Sequence, residues 1–314
     1  MSKEKLIGNI ILMLTSIIWG SAFVAQRVGM DYIGPHTFNA ARFILAALVL
    51  IPVIHFLEKK IRKKLELAAG TEQKKIPFFP DDIDERKTLI KAGLACGCVL
   101  FCGSAMQQIG LVFTTAGKAG FITALYIVLV PIFSLFLRRI PSIKCWIGVA
   151  LGAIGLYFLT ITGTFTIAFG DFVVLIGAGF WAVHLLVIDH FLHKKVDALK
   201  LSFLQFSLSA ILSTIAALIF EEISITAIIA CTIPILYAGV LSGGVGFTLQ
   251  IIGQKHTNPT VASLILSMEA VFGALFGFLI LQEVLNMREI FGCILMFSAI
   301  IISQLPDKRK NDIP

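Results

Sequence analysis

The sequence predicts an all-α membrane protein of ten transmembrane helices, arranged as two five-helix repeats of inverted topology. Three observations carry this prediction. Charge-poor apolar runs of about 20 residues, long enough to cross a bilayer core, recur along the whole chain. A motif in the first half returns in the second half at an offset of 143 residues. The basic residues concentrate in alternate connections between the apolar runs.

The composition is that of a membrane protein. Of the 314 residues 57% are hydrophobic and only 14% are charged, and the mean hydropathy is +0.92. Soluble domains carry about 25% charged residues. The predicted spans leave no room for a soluble domain of useful size. They are residues 6–25, 35–57, 90–112, 118–137, 143–161, 169–190, 199–220, 229–252, 259–281 and 288–305.

The internal repeat divides the chain into two units. Trp19 aligns with Trp181 and Arg42 with Gln205, at an offset of about 162. The motif at offset 143 pairs Gly103, Gln107, Ile109, Gly110, Thr114 and Ala119 with Gly246, Gln250, Ile252, Gly253, Thr257 and Ala262. We predict a first repeat at 6–161, a second at 169–305 and a cytosolic tail at 306–314.

A long polar segment explains why the two offsets differ. Residues 58–88 contain a basic helical turn from Glu58 to Ala69 and a Pro-containing stretch that ends near Asp84. The second half replaces this segment with a short turn. We interpret 58–88 as a solvated cytosolic loop; the alternative is a contact with lipid or a partner.

The net charge of +7 is a topology signal. With the N-terminus inside, most of the 26 Lys and Arg residues fall on the cytoplasmic side, and only Arg27, Lys118 and Arg288 fall outside. This distribution predicts a plasma (inner) membrane protein with both termini cytoplasmic. It also predicts attraction to anionic lipid rather than nucleic-acid binding. Because each repeat has five spans, the second must run through the membrane upside down.

No cofactor, metal site or catalytic motif is expected. The six cysteines lie in or beside apolar spans without a neighbouring histidine, which is typical of buried reduced thiols. The sequence has no phosphate-binding loop and no G-x-S-x-G or H-E-x-x-H motif. Gly148-x3-Gly152 and Gly273-x3-Gly277 allow close helix packing, either within the chain or in a homodimer.

Glu269 is the leading candidate for a functional ionisable group. It lies near the middle of the predicted span 259–281, where a charged residue is costly and usually has a use. It would bind a proton or a cationic substrate; the alternative is a structural carboxyl that caps a kinked helix. Tyr126 occupies the aligned position in the first repeat.

Other polar residues in the spans are candidates for a substrate cavity, with packing or helix-tying roles as the alternative. His184 shares a helical face with Trp181, Asn39 is three residues from Arg42, and Arg42 should face a cavity or an acidic partner. The predicted cavity residues are Trp19, Asn39, Arg42, Gln107, Tyr126, Trp181, His184, Gln250 and Glu269.

Several segments resemble the EamA-type members of the drug/metabolite transporter (DMT) superfamily. They are Trp19-Gly20-Ser21-Ala22-Phe23, Gly120 to Tyr126 with Val130-Pro131, Ala262-Ser263-Leu264, Glu269 to Phe272, and Gln282-Glu283. The resemblance implies a ten-helix inverted-repeat carrier with a central cavity. It implies roles for Trp19, Tyr126, Trp181, Glu269 and Glu283. Members typically move small metabolites, often amino acids and derivatives outward, and some relatives carry sugars or nucleotide-sugars.

One departure from the family pattern concerns helix bending. Proline often follows the span-nine glutamate, whereas Ala270 follows it here, which puts a kink at that point in doubt. Pro131 should kink span four, and its counterpart is Ala274, so the halves need not bend alike.

The sequence therefore favours a secondary carrier that exports a small polar metabolite by alternating access, with Glu269 as the proton or cation site. Two alternatives stay open at this point. One is a membrane sensor or scaffold that reuses the fold without transport. The other is an intramembrane enzyme, which would need convergent catalytic groups at one depth.

Overall fold

The structure, a computed structural model, describes residues 3–69, 77–161, 168–281 and 286–305, without the side chains of 65, 68, 69 and 277–281. The predicted tail 306–314 and Glu283 lie outside the described residues. Nearly all described residues are helical. The helices are α1 (Lys3–Gly29), α2 (Pro35–Ala69), α3 (Ile83–Phe113), α4 (Ala116–Ala124), α5 (Tyr126–Phe136), α6 (Ile143–Thr160), α7 (Phe169–Leu192), α8 (Ala198–Phe220), α9 (Ile225–Ala230), α10 (Thr232–Leu236), a π-helix (Tyr237–Phe247), α11 (Thr248–Gln254), α12 (Pro259–Leu266), α13 (Glu269–Leu281) and α14 (Met287–Gln304).

These helices form ten segments long and apolar enough to cross a membrane, which confirms the predicted all-α, ten-span fold. Spans four, eight and nine are each composite: α4 with α5, α10 with the π-helix and α11, and α12 with α13. Several helices extend beyond the apolar runs. The first, α1, begins at Lys3 and continues to Gly29, because helical geometry persists past the edge of the hydrocarbon layer.

Apolar side chains cover the outside of the bundle and polar ones lie within it. Phe136, Ile140 and Ile233 are 81%, 85% and 80% exposed, whereas His184 and Glu269 are 0% and 4% exposed. Lipid is the solvent that such a surface requires, because hydrocarbon favours apolar side chains and penalises charges. The chain is therefore a multi-pass membrane protein.

The order of helix contacts is related between the halves. Span one (α1) packs along span eight, and span six (α7) packs in the same way along span three (α3). The pairs α2 with α8 and α6 with α14 each join equivalent spans of the two halves. These reciprocal contacts support the predicted inverted repeat. We call the face where α1 begins and α14 ends the terminal face, and the other the opposite face.

Two polar contacts hold α2 against α8, one on each face. On the opposite face, the Glu221 carboxylate accepts hydrogen bonds from the backbone N–H groups of His36 and Thr37 at 2.7 and 2.8 Å, which satisfies the start of α2. On the terminal face, Lys200 Nζ lies 3.5 Å from Glu58 Oε1. The first contact joins the end of α8 to the start of α2, and the second joins the first turn of α8 to Glu58, within α2.

Helical structure extends into the segment 58–88 from both sides, including the stretch from Glu58 to Ala69 where we predicted a basic helical turn. Helix α2 continues through it as far as Ala69, and α3 begins at Ile83. The Asp82 carboxylate accepts hydrogen bonds from the N–H groups of Asp84 and Glu85, at 2.9 and 2.8 Å, and this N-cap starts α3.

The glycines of α6 serve packing inside the chain. A Cβ atom at Gly148 would lie 2.9 Å from the carbonyl oxygen of Ala299, and one at Gly152 would lie 3.2 Å from the Leu264 side chain. Both glycines therefore face helices of the same chain. The homodimer stays a prediction.

Candidate functional site

A small polar cavity lies at the centre of the bundle, between the two halves. Its volume is about 50 Å³, which holds a few water molecules. Polar and aromatic side chains dominate its wall. The lining residues are Trp19, Ala22, Phe23, Gln26, Arg42, Gln107, Thr123, Tyr126, Trp181, Leu185, Ser242, Phe247, Gln250, Leu266 and Glu269.

Two broken spans bring residues to this cavity. Leu125 separates α4 from α5, and Ser267-Met268 separates α12 from α13. Both breaks have a 3₁₀-type hydrogen bond between residues three apart. The N–H of Leu125 donates to Ile122 O, and that of Met268 donates to Ile265 O, each at 3.2 Å.

The breaks correct our expectation about bending. The halves break at aligned positions, although Pro131 has no proline counterpart in the second half. Pro131 lies inside α5, beyond the break. Ala270 in place of proline does not keep span nine straight, because the break is made by the shorter-range hydrogen bond of Met268. Discontinuous helices of this kind are typical of transporter binding sites.

Tyr126 and Glu269 are the first residues after the two breaks, and they meet in the cavity. The Tyr126 hydroxyl donates a hydrogen bond to Glu269 Oε1 at 3.3 Å. Both side chains are buried, and Glu269 forms no ion pair with any residue of the described ranges. A carboxyl at this depth is costly when ionised, so it favours a proton or a cation as its companion.

Glu269 also borders a second, larger space. A cleft of about 880 Å³ enters from the opposite face between α1, α4, α10 and α13, and both Phe23 and Glu269 line the cleft as well as the cavity. Tyr32 and Glu289 lie at its wide end. The cleft has the volume of a metabolite-binding pocket. Glu269 thus stands where a route from one face meets the polar centre.

Arg42 anchors a hydrogen-bonded network on another side of the cavity. Its Nη1 donates to Gln26 Oε1 at 2.8 Å, and the same oxygen accepts from Gln107 Nε2 at 3.0 Å. Gln107 Oε1 in turn accepts from Trp181 Nε1 at 2.8 Å. Four side chains from four helices are held in fixed orientations by these bonds. Arg42 faces the cavity, and no acidic partner among the described residues contacts it.

The two aligned glutamines both line the cavity but differ in their bonding. Gln107 makes the cross-helix bonds just described, whereas Gln250 Nε2 donates within its own helix to Gln254 Oε1 at 3.2 Å. The Gln250 Oε1 atom is buried without a hydrogen-bond partner. The second half therefore has an unpaired buried acceptor at Gln250, where the first half has a hydrogen-bonded network at Gln107.

Aromatic rings close the remaining walls. Trp19 and Trp181 both pack on Phe247, with ring centroids 4.7 and 5.7 Å apart. The Trp19 indole N–H donates to the carbonyl oxygen of Ser242 in the π-helix, at 3.2 Å. π-Helical segments recur at functional sites.

The structure places two predicted cavity residues behind the wall. His184 Nε2 is hydrogen-bonded to Gln205 Oε1 at 3.0 Å, and its ring packs edge-on against Trp181. It is fully buried and faces α8 rather than the cavity. Asn39 is fully buried too and does not line the cavity, and neither polar atom of its side chain has a hydrogen-bond partner.

Eight lining residues were not among the predicted cavity residues, and three of these eight are polar: Gln26, Thr123 and Ser242. Gln26 follows the last residue of the predicted first span, so it was not counted as a membrane residue. Its position is visible once α1 is known to continue to Gly29. The sequence signal that could have identified Gln26 as a cavity residue is a polar amide within one helical turn of an apolar run.

Comparison with known proteins agrees with this architecture. Residues 6–161 and 168–304 each match the EamA-like transporter family. The chain is 31% identical to an uncharacterized transporter of Archaeoglobus fulgidus, over 96% of this chain and 87% of that protein. It is 23% identical to the uncharacterized transporter YoaV of Bacillus subtilis, over 94% and 96%. A solved crystal structure, 17% identical, superimposes with a TM-score of 0.71 over 95% of this chain and 96% of that chain, which supports the fold alone.

Proposed function

The chain belongs to the EamA-like transporter family, and we propose that it is a secondary carrier that exports a small polar metabolite, an amino acid or a derivative, by alternating access. Two chemical roles are needed for such a carrier: a site that holds the cargo and a group that couples its movement to an ion. The central cavity together with the adjoining cleft supplies the first role, and Glu269, which lines both, supplies the second.

The position of Glu269 is the observation that carries the proposal. It lies at the first residue after a helix break, between the central cavity and the cleft, and no cation of the described ranges pairs with it. A buried carboxyl in this place exchanges a proton with one face when the cleft is open. It exchanges with the other face when the bundle has rearranged. Its hydrogen bond from Tyr126 is available for the cargo to replace.

The distribution of basic residues supports the orientation of the proposed carrier in the membrane. With the terminal face in the cytoplasm, the cleft opens to the outside. Hydrogen bonds close the cytoplasmic end: Asn9 Nδ2 donates to Gln304 Oε1 at 2.7 Å, and Thr257 Oγ1 donates to Asn9 Oδ1 at 3.1 Å. The conformation then corresponds to a carrier open outward, ready to receive a proton at Glu269.

Transport in proteoliposomes tests the coupling role. The protein is reconstituted with radiolabelled L-amino acids, and exchange is measured with and without an imposed pH gradient. We expect the gradient to accelerate transport by the wild type and to have no effect on Glu269→Gln, which still exchanges cargo. Glu85→Gln, the same change at an exposed position on the terminal face, is the control. If the gradient drives Glu269→Gln as it drives the wild type, Glu269 is not the coupling group.

A further inference from the structure

Arg42 is a buried cation that no described residue neutralises by direct contact. Its side chain is 3% exposed and lines the central cavity, and none of the ion pairs in the described ranges includes it. A guanidinium remains charged at any physiological pH. A buried charge of this kind is strongly unfavourable unless an anion or a set of polar groups compensates for it.

The bonds that Arg42 makes leave part of its guanidinium unused. Nη1 donates to Gln26 Oε1, while Nε is buried without a hydrogen-bond partner. The Phe43 and Phe38 rings lie 4.8 and 5.9 Å from Cζ and restrict how the group can turn. A guanidinium edge with free donors matches the two oxygens of a carboxylate.

The neighbouring network cannot take up these free donors. Gln26 Oε1 already accepts from both Arg42 and Gln107, and its Nε2 donates to Ala22 O at 3.4 Å. Gln107 Oε1 is occupied by Trp181. The amides therefore orient the guanidinium and leave the remaining bonds for a molecule in the cavity.

Another part of the same cavity wall carries the opposite charge. Glu269 lines the cavity together with Arg42, yet the two form no ion pair with each other. The cavity thus has a fixed cation at one place and an ionisable carboxyl at another. A molecule with one carboxylate and one ammonium group satisfies both, whereas a neutral sugar satisfies neither.

We propose that Arg42 binds the carboxylate of the cargo and so selects small zwitterions, whose ammonium group faces Glu269. This inference rests on the proposed carrier function and deepens it. Arg42 is a specificity-determining residue, and Gln26 and Gln107 position it. The aligned residue in the second half is Gln205, so the carboxylate site exists in one repeat only.

Thermal-shift titration of the purified full-length protein tests the assignment. The probes are L-amino acids, the matching amino alcohols without the carboxylate, the matching hydroxy acids without the ammonium group, glucose and UDP-glucose. The variants are Arg42→Gln and Arg42→Lys. Arg42→Gln installs the residue that the aligned position of α8 already holds, which favours folding. Ser298→Ala, an exposed hydroxyl that bonds only to its own helix, is the control.

We expect the wild type and Ser298→Ala to bind amino acids roughly 30-fold or more tightly than amino alcohols, because the alcohol leaves the guanidinium unpaired. Arg42→Gln should bind both equally, and Arg42→Lys should retain part of the preference. The proposal is overturned if the wild type binds amino alcohols or glucose as well as amino acids, prefers UDP-glucose, or binds none of the probes. It is also overturned if Arg42→Gln keeps the full preference.

Two further measurements separate the possible failures. Size-exclusion elution reports whether each variant is folded; if neither Arg42 variant is, the wild-type comparison of acids with alcohols decides. Counterflow of the same probes in proteoliposomes reports transport. A wild type that prefers carboxylates but shows no counterflow refutes the carrier function and not the role of Arg42. Counterflow with unchanged selectivity in Arg42→Gln refutes the role of Arg42 alone.

Discussion

The two junctions between the halves, one on each face, share a backbone geometry and differ in polar chemistry. On the terminal face Gly8 packs against Gly253, and a Cβ at Gly8 would lie 2.8 Å from the Gly253 carbonyl oxygen. On the opposite face Gly170 packs against Gly110, with the same distance of 2.8 Å. The residues of each junction align with those of the other at the offsets of the sequence repeat.

A threonine completes each junction, but its partner changes. Thr257 bonds to the amide of Asn9 on the terminal face, at 3.1 Å. Thr114 bonds to the carboxylate of Asp171 on the opposite face, at 2.5 Å, and Lys118 Nζ lies 3.2 Å from the other Asp171 oxygen. Where helix backbones touch, the two halves are alike; the charge is confined to one face. The repeat thus provides the same glycine contact in both junctions. The side chain at the aligned position, Asn9 or Asp171, determines whether the stability of the junction depends on pH and salt.

Making the terminal junction charged should produce the largest change. Asn9→Asp places a carboxylate against Gln304 Oε1, where the native amide donates a hydrogen bond. We expect a loss of about 3 kcal/mol in the free energy of unfolding at neutral pH, because the hydrogen bond to Gln304 is lost and two buried oxygens then face each other. Lowering the pH protonates the new carboxyl, so part of the loss should be recovered in acid. Unfolding in a mixed-micelle denaturant series measures both; an unchanged midpoint would contradict the buried position of Asn9.

Adding one methyl group to a glycine on either face should cost less and cost equally. Gly8→Ala and Gly170→Ala each force a Cβ against a carbonyl oxygen, and we expect about 1–3 kcal/mol for each. Gly179→Ala in α7 is the matched control, because no atom lies within 4 Å of the added Cβ. This control should be neutral or more stable by up to about 1 kcal/mol. A large difference between Gly8→Ala and Gly170→Ala would show that the junctions are not equivalent.

Removing the charge from the opposite junction should have the smallest effect. Asp171→Asn makes that junction chemically similar to the terminal one and removes the ion pair with Lys118. The lysine side chain is 31% exposed, so we expect a loss of only about 1 kcal/mol. The same experiment in high salt sharpens the comparison. The wild type should lose stability as salt is added, and Asp171→Asn should respond less.

The ten spans were predictable because each depends on local composition, and the pairing of the halves followed from the repeat and the charges. The cavity was only partly predictable. Gln26 was overlooked because it follows the apolar run, although its helix continues. His184 shares a helical face with Trp181, but its bond to Gln205 turns it towards α8.

The helix breaks could not be located from the sequence. Neither Leu125 nor Met268 is a residue that breaks helices, and the one obvious breaker, Pro131, lies elsewhere. The breaks depend on packing against distant spans, which a single sequence does not reveal. The junctions are a middle case: Asn9 and Asp171 align at the repeat offset, but only the structure gives their partners, Thr257 and Thr114.

The two polar contacts between α2 and α8 bear on how the site moves. A polar contact on each face holds α2 against α8, so sliding of one helix along the other would break the Glu221 hydrogen bonds or the Glu58–Lys200 ion pair. In the proposed carrier, we expect the two helices to move together when the other spans rearrange. Arg42 lies on α2, about two turns after the start of that helix. A cargo bound to Arg42 would therefore keep the same depth in the membrane while access alternates between the two faces.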